Sequence, residues 1–387
     1  MILLKPGKGE LLRGRRHPWV YSGAVDRAEQ GALEGELSPV AEASGQVLGW
    51  GLYSPRSLIA VRLLAWGQQP PPEDWPERRI RAAHELRRRL DLNSDAYRLV
   101  NAEGDFLPGL IVDVYRSTTV VRPLVRGMEA VLQRILTALR ALYPDNAVFL
   151  KRDEKAARLE ALQQPTGYLA GGGDGTERIR EAGLEQMVDI AHGQKTGYYL
   201  DQRDSRALAR RLSAARRMLN LFAYTGSFAL QAAAGGAAEV VSVESSAHAL
   251  EIARESVRLN PQLNAERLTW VEGDAFDYLR SCPAFDLLVM DPPPFARRRS
   301  ELAGALKGYI RLNRLVIERC VPGALVLTFS CSSAVSAELF SDALREAARQ
   351  AGREVQLLQA LHAAPDHPVA AGHPEGEYLK GWLLRAL

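Results

Sequence analysis

The 387-residue chain is 47% apolar and 25% charged with a formal net charge of +3, a balance that excludes a disordered or strongly polyanionic chain. Its three cysteines, Cys282, Cys320 and Cys331, form neither a disulfide framework nor a CxxC or Cys/His cluster, so no metal site is expected. No run approaches the roughly 18 apolar residues of a membrane span, and the opening MILLKPGKGELLRGRRHPW lacks the apolar core of a signal peptide; the expectation is a cytoplasmic protein with reduced thiols and no membrane partner.

In the first twenty residues Lys5, Lys8, Arg13, Arg15 and Arg16 stand against one acid, Glu10, and run into His17-Pro18-Trp19-Val20-Tyr21. Short apolar stretches divided by turns follow: ELSPVAEASG, QVLGWGLYSP and SLIAVRLLAW. They predict a small, strongly twisted all-β module over residues 1–66. A basic edge beside aromatic rings suits a nucleic-acid backbone with stacked bases. The competing reading makes Trp19 and Tyr21 core residues and the arginines a solvated face. The segment RGRRHPWVYSGAV resembles the opening of a PUA domain, the small RNA-binding barrel attached to RNA-modifying enzymes. That resemblance implies an RNA-facing edge at Arg13, Arg15, Arg16 and His17.

Residues 67–76, GQQPPPEDWP, read as a linker because proline restricts the chain and removes donors. They open a second domain over 67–185. Glu77–Leu90 is a basic helix whose arginines either bind RNA phosphate or form a solvated face. From Tyr97, two strands flank the turn Glu103-Gly104-Asp105, whose acids are read as shaping the turn rather than as catalytic. A helix over about Met128–Leu142 and a strand near Ala147–Lys151 follow. The GGGDG at 171–175 lacks the lysine and hydroxyl residue of a P-loop and is read as a connecting turn.

Residues 186–387 carry the repeating strand–helix pattern of a doubly wound sheet. HGQKTGYYL leads into a helix beginning near Asp201-Gln202-Arg203, where a helix N-terminus and the charges of Lys195 and Arg203 suit an anionic group. Strands are predicted at Met218–Phe222, Ala238–Val243, Leu268–Val271, Phe285–Met290 and Ala324–Phe329, with helices between them. Two further strands, Val355–Ala360 and Tyr378–Arg385, are joined by a long polar connection and predict an antiparallel final hairpin.

The polar residues collect at the carboxyl ends of these strands, where ligands bind in such folds. Ala223-Tyr224-Thr225-Gly226 is a turn allowing close backbone approach, and Glu244 ends the second strand where it can accept from ribose hydroxyls. Asp274, followed by Ala275, ends the third and can accept from an adenine amine; Asp291 ends the fourth. The turn is not GxGxxG and no P-loop lysine is present, which disfavours NAD and ATP. These acids suit S-adenosylmethionine as well as any adenosine cofactor. DPPPF at 291–295 is a rigid loop in which Phe295 can press on a flat base while Asp291 accepts a base N–H. By itself the loop does not choose between methylation of carbon and of nitrogen.

Cys331 chooses, if it is the nucleophile. Carbon 5 of a pyrimidine is weakly nucleophilic until a thiolate adds at carbon 6. The polar flank of TFSCSS argues for exposure at the cleft, against the usual burial of cysteine as a small hydrophobe. Cys282 and Cys320 read as structural.

The strings HPWVYSGAV, GQKTGYYLDQR, NLFAYTGSFAL, VVSVESS, DPPPF, LTFSCSS, DHPV and PEGEYLKG cover nearly the full length. Together they resemble the large-subunit ribosomal RNA cytosine-C5 methyltransferase family. The resemblance implies an α/β fold: a Rossmann-like class I methyltransferase domain (186–387) preceded by a small β-barrel PUA domain (1–66) and a small central α/β domain (67–185). It implies S-adenosylmethionine held by Gln202 and Arg203 near its carboxylate, by Tyr224, Thr225 and Gly226, and by Glu244, Asp274 and Ala275. Asp291 then lies between cofactor and base, Cys331 is the nucleophile, and 5-methylcytidine in 23S rRNA, free or in an assembly intermediate, is the product. Phe295 and Arg297 fall on the RNA side, and the family's homodimer is adopted. Two departures stand out. Pro294 occupies the place of the family's lysine, with Arg297, Arg298 and Arg299 just beyond. Compared with RNA cytosine methyltransferases using two cysteines, DPPPF has none, so another base must remove the carbon 5 proton. The rival readings are a methyltransferase acting on a purine nitrogen of rRNA, which leaves Cys331 replaceable, and a non-catalytic RNA-binding assembly factor.

Overall fold

The short apolar stretches of residues 2–66 become a six-stranded sheet. Its strands, Ile2–Leu4, Trp19–Tyr21, Val25–Ala28, Leu37–Ala41, Val47–Tyr53 and Ile59–Trp66, lie in the spatial order second, sixth, fifth, fourth, first, third. The computed structural model describes residues 1–296 and 298–387, so Arg297 lies outside the described residues. Two units form: Met1–Glu177 with Ile190–Tyr198 and Pro365–Gly376, and Arg178–Asp189 with Tyr199–Ala364 and Glu377–Leu387.

Ile2, Leu4, Val20, Val40, Leu48, Val61 and Leu63 make the core of the first sheet. The expected all-β module needs correction, because Lys8–Arg15 is an α-helix and it carries Arg13 and Arg15. KGELLRGR has no two-residue alternation that would suit a strand. Gly9 is the residue of this helix that is buried, and a Cβ there would meet Glu42 Cγ at 2.7 Å, so the helix seats through a glycine. Arg16 ends it in the left-handed region at φ 52°.

In the same unit a five-stranded sheet is built from Ala96–Asn101, Leu110–Tyr115, Thr118–Pro123, Ala147–Leu150 and Gly167–Ala170. Helices Trp75–Arg89 and Leu132–Leu142 cover it, and Ile80, Leu99, Val112, Ile135 and Val148 share one core with Leu52 and Leu64 of the first sheet. The basic helix starts at Trp75 with Pro76 in its first turn, where a missing N–H costs nothing.

Glu103 and Asp105 do the structural work expected of them. Glu103 accepts Trp19 Nε1–H at 2.7 Å; Asp105 accepts Asn101 N–H at 2.6 Å and takes a two-pronged contact from Arg87, with Nη2 to Oδ2 at 2.8 Å. Arg87 also donates to Asp366 O at 2.7 Å, and Arg79 donates to the carbonyls of Phe106 and Leu64. Neither the RNA-facing nor the solvated reading holds for these two arginines: they tie the helix to the sheet. Removing one partner of a buried ion pair strands the other, at about 3–5 kcal/mol. Arg87→Ala is therefore expected to lower the urea midpoint steeply, whereas Arg88→Ala, on the exposed side of the same helix, leaves it unchanged. Equal midpoints for the two variants would remove the structural role of Arg87.

The second unit is organised by a seven-stranded sheet: β1 (Arg217–Leu221), β2 (Glu239–Glu244), β3 (Leu268–Glu272), β4 (Phe285–Met290), β5 (Cys320–Ser330), β6 (Val355–His362) and β7 (Lys380–Ala386). The spatial order is 3-2-1-4-5-7-6. β1 to β5 are parallel, while β7 runs antiparallel to both β5 and β6, giving the expected final hairpin. Both faces of the sheet are covered, which is why β4 reads as the almost unbroken apolar run FDLLVM. The helices are α1 (Arg203–Leu212), α2 (Ser227–Ala234), α3 (Ala247–Arg258), α4 (Ala275–Ser281), α5 (Leu302–Glu318) and α6 (Ala337–Ala351). A parallel strand must hand the chain to a crossover at its carboxyl end, so the loops after β1, β2, β3, β4 and β5 all open on one edge.

Candidate active site

The turn after β1 is bent by three residues with positive φ: Phe222 (57°), Tyr224 (48°) and Gly226 (76°). Two of them are not glycine, a conformation that costs energy and concentrates at functional sites. Gly226 is required on a second count, because a Cβ there would meet Trp270 Cη2 at 2.5 Å. Glu244, at the end of β2, holds the turn from outside. Its Oε2 accepts Tyr224 N–H at 2.8 Å and its Oε1 accepts Ser246 N–H at 3.0 Å. The acid expected to meet a ribose therefore also shapes the loop.

Asp274 ends the connection after β3 and caps α4. Its Oδ1 accepts the N–H groups of Phe276 at 2.8 Å and Asp277 at 3.0 Å. Ala275, the first residue of α4, is buried. Asp274 itself is exposed, and its Oδ2 takes no part in the cap.

Gln202 lies in a single 3-10 turn, Leu200–Gln202, immediately before α1. Its Nε2 donates to Asp291 Oδ2 at 2.8 Å, so the approach to α1 and the end of β4 meet side chain to side chain. Arg203 is buried with Nε 3.8 Å from Glu181 Oε2, an acid already held by two 2.6 Å bonds from Arg206. Tyr199, just upstream, meets Tyr224 edge to face at 5.2 Å. Burial pushes its phenol up, and the charges of Asp291, Tyr224, Asp201 and Cys331 push the same way.

Cys331 follows the last residue of β5, half-buried, with Sγ 3.6 Å from Pro292 O, to which the thiol donates. The nucleophile candidate and the proline loop are thus in direct contact. Its neighbour Ser332 is buried and fixes the loop: its Oγ accepts Ala296 N–H at 3.2 Å and lies 2.9 Å from the Tyr309 hydroxyl. Its carbonyl accepts Lys380 Nζ at 2.8 Å. Phe295 packs on Tyr309 at 4.7 Å between ring centres, so whatever face it offers a base is set by α5. The other two thiols contrast with Cys331. Burial pushes Cys282 up and Cys320 up to about 12, leaving both inert near neutral pH.

Tyr199, Tyr309, Ser332 and Lys380 were not singled out by the sequence reading. The signals were a buried lysine opening the largely apolar strand KGWLLRA, and a tyrosine on the buried side of α5.

The basic edge belongs to the first unit and is largely paired. Arg13 contacts Glu42, Arg16 lies over the Trp66 ring at 5.5 Å, and His17 Nε2 is 3.0 Å from Glu375 Oε2. Arg15 is exposed and lines a hollow of about 510 Å³ with Lys8, Trp19 and Tyr21.

Two buried polar atoms at the strand-end edge, Gln202 Oε1 and Thr225 Oγ1, have no hydrogen-bond partner among the described residues. Buried polar atoms without partners are rare in a finished structure, and here they fit a polar cofactor such as S-adenosylmethionine. Asp274 offers a separable test. Asp274→Asn keeps the capping oxygen and removes the charge, while Asp274→Ala loses the cap as well, at about 1 kcal/mol. Both are expected to weaken cofactor binding in calorimetry, and only the alanine variant to lower the melting temperature. Unchanged affinity in Asp274→Asn would leave the residue a helix cap alone.

Comparison with known proteins agrees with this geometry. A family model for S-adenosylmethionine-dependent methyltransferases matches residues 132–380, and one for PUA-like domains matches residues 2–66. Ribosomal RNA large subunit methyltransferase I of Erwinia tasmaniensis is 41% identical over 395 residues, covering 100% of this chain and 99% of its own. The protein of the same name from Serratia proteamaculans is 41% identical over 397 residues with the same coverage. A chain crystallised in complex with SAH superposes with a TM-score of 0.86 at 21% identity, covering 100% of both chains, which shows a shared fold. The chain belongs to the S-adenosylmethionine-dependent methyltransferases, and among them to the family of ribosomal RNA large subunit methyltransferase I.

Proposed function

We propose that the chain methylates carbon 5 of a cytidine in 23S rRNA through a covalent adduct between Cys331 and carbon 6. The observation that carries this reading is the contact of Cys331 Sγ with Pro292 O, at the carboxyl edge where Gln202 and Asp291 also meet. S-adenosylmethionine, when bound, supplies an electrophilic methyl group. Gln202, Arg203, Tyr224, Thr225, Gly226, Glu244, Asp274 and Ala275 are the residues proposed to hold it, with Asp291 between it and the base.

Cys331 as thiolate forms the S–C6 bond, and the C5=C6 pair becomes available at carbon 5. Carbon 5 takes the methyl group, the pair of the broken S–CH3 bond staying on the donor's sulfur as a neutral thioether, and then releases its proton to a base. The electrons of that C–H bond restore C5=C6 as the S–C6 bond breaks and its pair returns to sulfur. Asp291 accepts a base N–H and so fixes the ring, with the loop carrying Phe295 beside it. Lining up nucleophile and ring in advance removes much of the entropic barrier of a two-body reaction.

Residues 1–66, with Arg15 as an exposed cation and Arg13, Arg16 and His17 beside it, deliver the RNA; residues 67–185 are the central α/β part, whose core is continuous with the first sheet through Leu52 and Leu64, and 186–387 the catalytic part. The relatives' shared name, which specifies large-subunit rRNA, supports that substrate. The working form is a cytoplasmic homodimer, which sedimentation equilibrium tests.

Cys331→Ala is expected to abolish 5-methylcytidine formation, read by nucleoside mass analysis of rRNA, while cofactor affinity stays at the wild-type value. Retained turnover in that variant, or a methylated purine in its place, would overturn the carbon 5 mechanism. Each phosphate contact contributes about 0.7–0.9 to the salt slope of RNA binding. Arg15→Ala is expected to lower the slope by about one such contact, and Arg13→Ala by less because Glu42 already engages it. Equal slopes in wild type and Arg15→Ala place the RNA path elsewhere.

A further inference from the structure

Lys380 is a buried cation with an unusual set of neighbours. It opens β7, and its Cα is paired with Ser330 on β5 and with His362 on β6. Its Nζ donates to Ser332 O at 2.8 Å. The side chain therefore runs from the level of Ser330 to Ser332, and Cys331 is the residue between. Among the described residues no carboxylate lies within ion-pair distance of this ammonium; its hydrogen-bond acceptor is a neutral carbonyl. A buried charge without a counter-ion is costly, and proteins keep one where something else balances it.

The other titratable groups around the strand ends do not supply that balance. Tyr309 on α5 and Tyr199 before α1 are phenols that burial pushes up, so both are neutral at ordinary pH. Asp291, at the end of β4, makes no ion pair with Lys380 and takes Gln202 Nε2–H instead, and His362 on β6 is exposed. The Cys331 thiol remains as the group whose ionisation creates an anion beside Lys380.

We propose that Lys380 is a positioning residue that holds Cys331 as the thiolate needed for attack on the base. The inference rests on the reading of Cys331 as nucleophile and names what activates it. Where Lys380 is neutral, the S–H proton moves to Nζ and the bonding pair stays on sulfur; where it is already an ammonium, the proton leaves to water. When the S–C6 bond later breaks, the pair returns to sulfur opposite the same ammonium, which makes the thiolate a better leaving group. The electrostatics run the same way: burial pushes the Lys380 ammonium down, and negative charge at Cys331 pushes it back up.

The test reads the thiolate without RNA. The full-length protein is alkylated with iodoacetamide across a pH series, and the Cys331 peptide is followed by mass spectrometry, which separates it from Cys282 and Cys320. Wild-type Cys331 is expected to titrate at least one unit below the ordinary thiol value of about 8.5. Lys380→Gln keeps a donor for Ser332 O and loses the charge. It is expected to move the midpoint up by at least one unit, a roughly tenfold loss of alkylation rate at neutral pH, and Lys380→Arg to restore it. A Lys380→Gln midpoint equal to wild type overturns the proposal and leaves Lys380 a hydrogen-bond donor only. Should that variant fail to bind cofactor, a wild-type midpoint at or above the ordinary thiol value overturns it without any substitution. An active Cys331→Ala protein would sink the nucleophile reading while leaving the alkylation profile as it is, so the two failures are distinct.

Discussion

Ser332 is the joint on which the strand-end edge depends. Three separate parts of the chain converge on it: Ala296 from the loop after β4, Tyr309 from α5 and Lys380 from β7. Its carbonyl also accepts Val335 N–H at 3.1 Å, which starts the turn toward α6. Each bond contributes on the order of 1 kcal/mol net. Their larger effect is geometric, because Ser330 and Ser332 are both buried while Cys331 between them is not. A residue fixed on both sides has its Cα–Cβ direction set by its neighbours, which narrows where its side chain can reach. For a nucleophile that restriction is useful, since the freedom it has lost does not have to be lost during reaction.

The cofactor side is arranged by the opposite means. The turn after β1 holds Phe222 and Tyr224 in the left-handed region and packs Gly226 against Trp270. Glu244 steadies it through Tyr224 N–H, and two buried polar atoms, on Gln202 and Thr225, are left without partners among the described residues. Strain and unsatisfied polar groups both lower stability, and here they sit at the edge proposed to take the cofactor. The seven-stranded sheet supports this because its central strands β1, β2, β4 and β5 feed an apolar core on each face.

Much of this was legible in the residues. The strands ending at Glu244, Asp291 and Cys331 announce themselves by apolar runs that stop on a polar residue, and the structure brings them to one edge. What escaped was whatever depends on pairing across distance. The Lys8–Arg15 helix was read as part of a β module because eight residues with two glycines give no helical stripe, and its seat on Glu42 is a tertiary fact. Arg87 looked like one more cation in an arginine-rich helix; only the position of Asp105 shows it to be buried. Lys380 sat within a recognised string with no role attached, because the carbonyl it reaches is 48 residues away.

The proline loop shows how a departure from the family pattern can be absorbed. Pro292, Pro293 and Pro294 have no N–H to offer, so the first donors after Asp291 are Phe295 and Ala296. Ala296 spends its N–H on Ser332 and Phe295 packs on Tyr309, which anchors the far end of the loop to α5. At the near end the Pro292 carbonyl receives the Cys331 thiol and Asp291 receives Gln202. A lysine at 294 would add a donor and a charge, but neither is needed to order a segment held at both ends with three φ angles fixed by covalent rings. A cation reaches the Cys331 loop from β7, where Lys380 donates to Ser332 O at 2.8 Å.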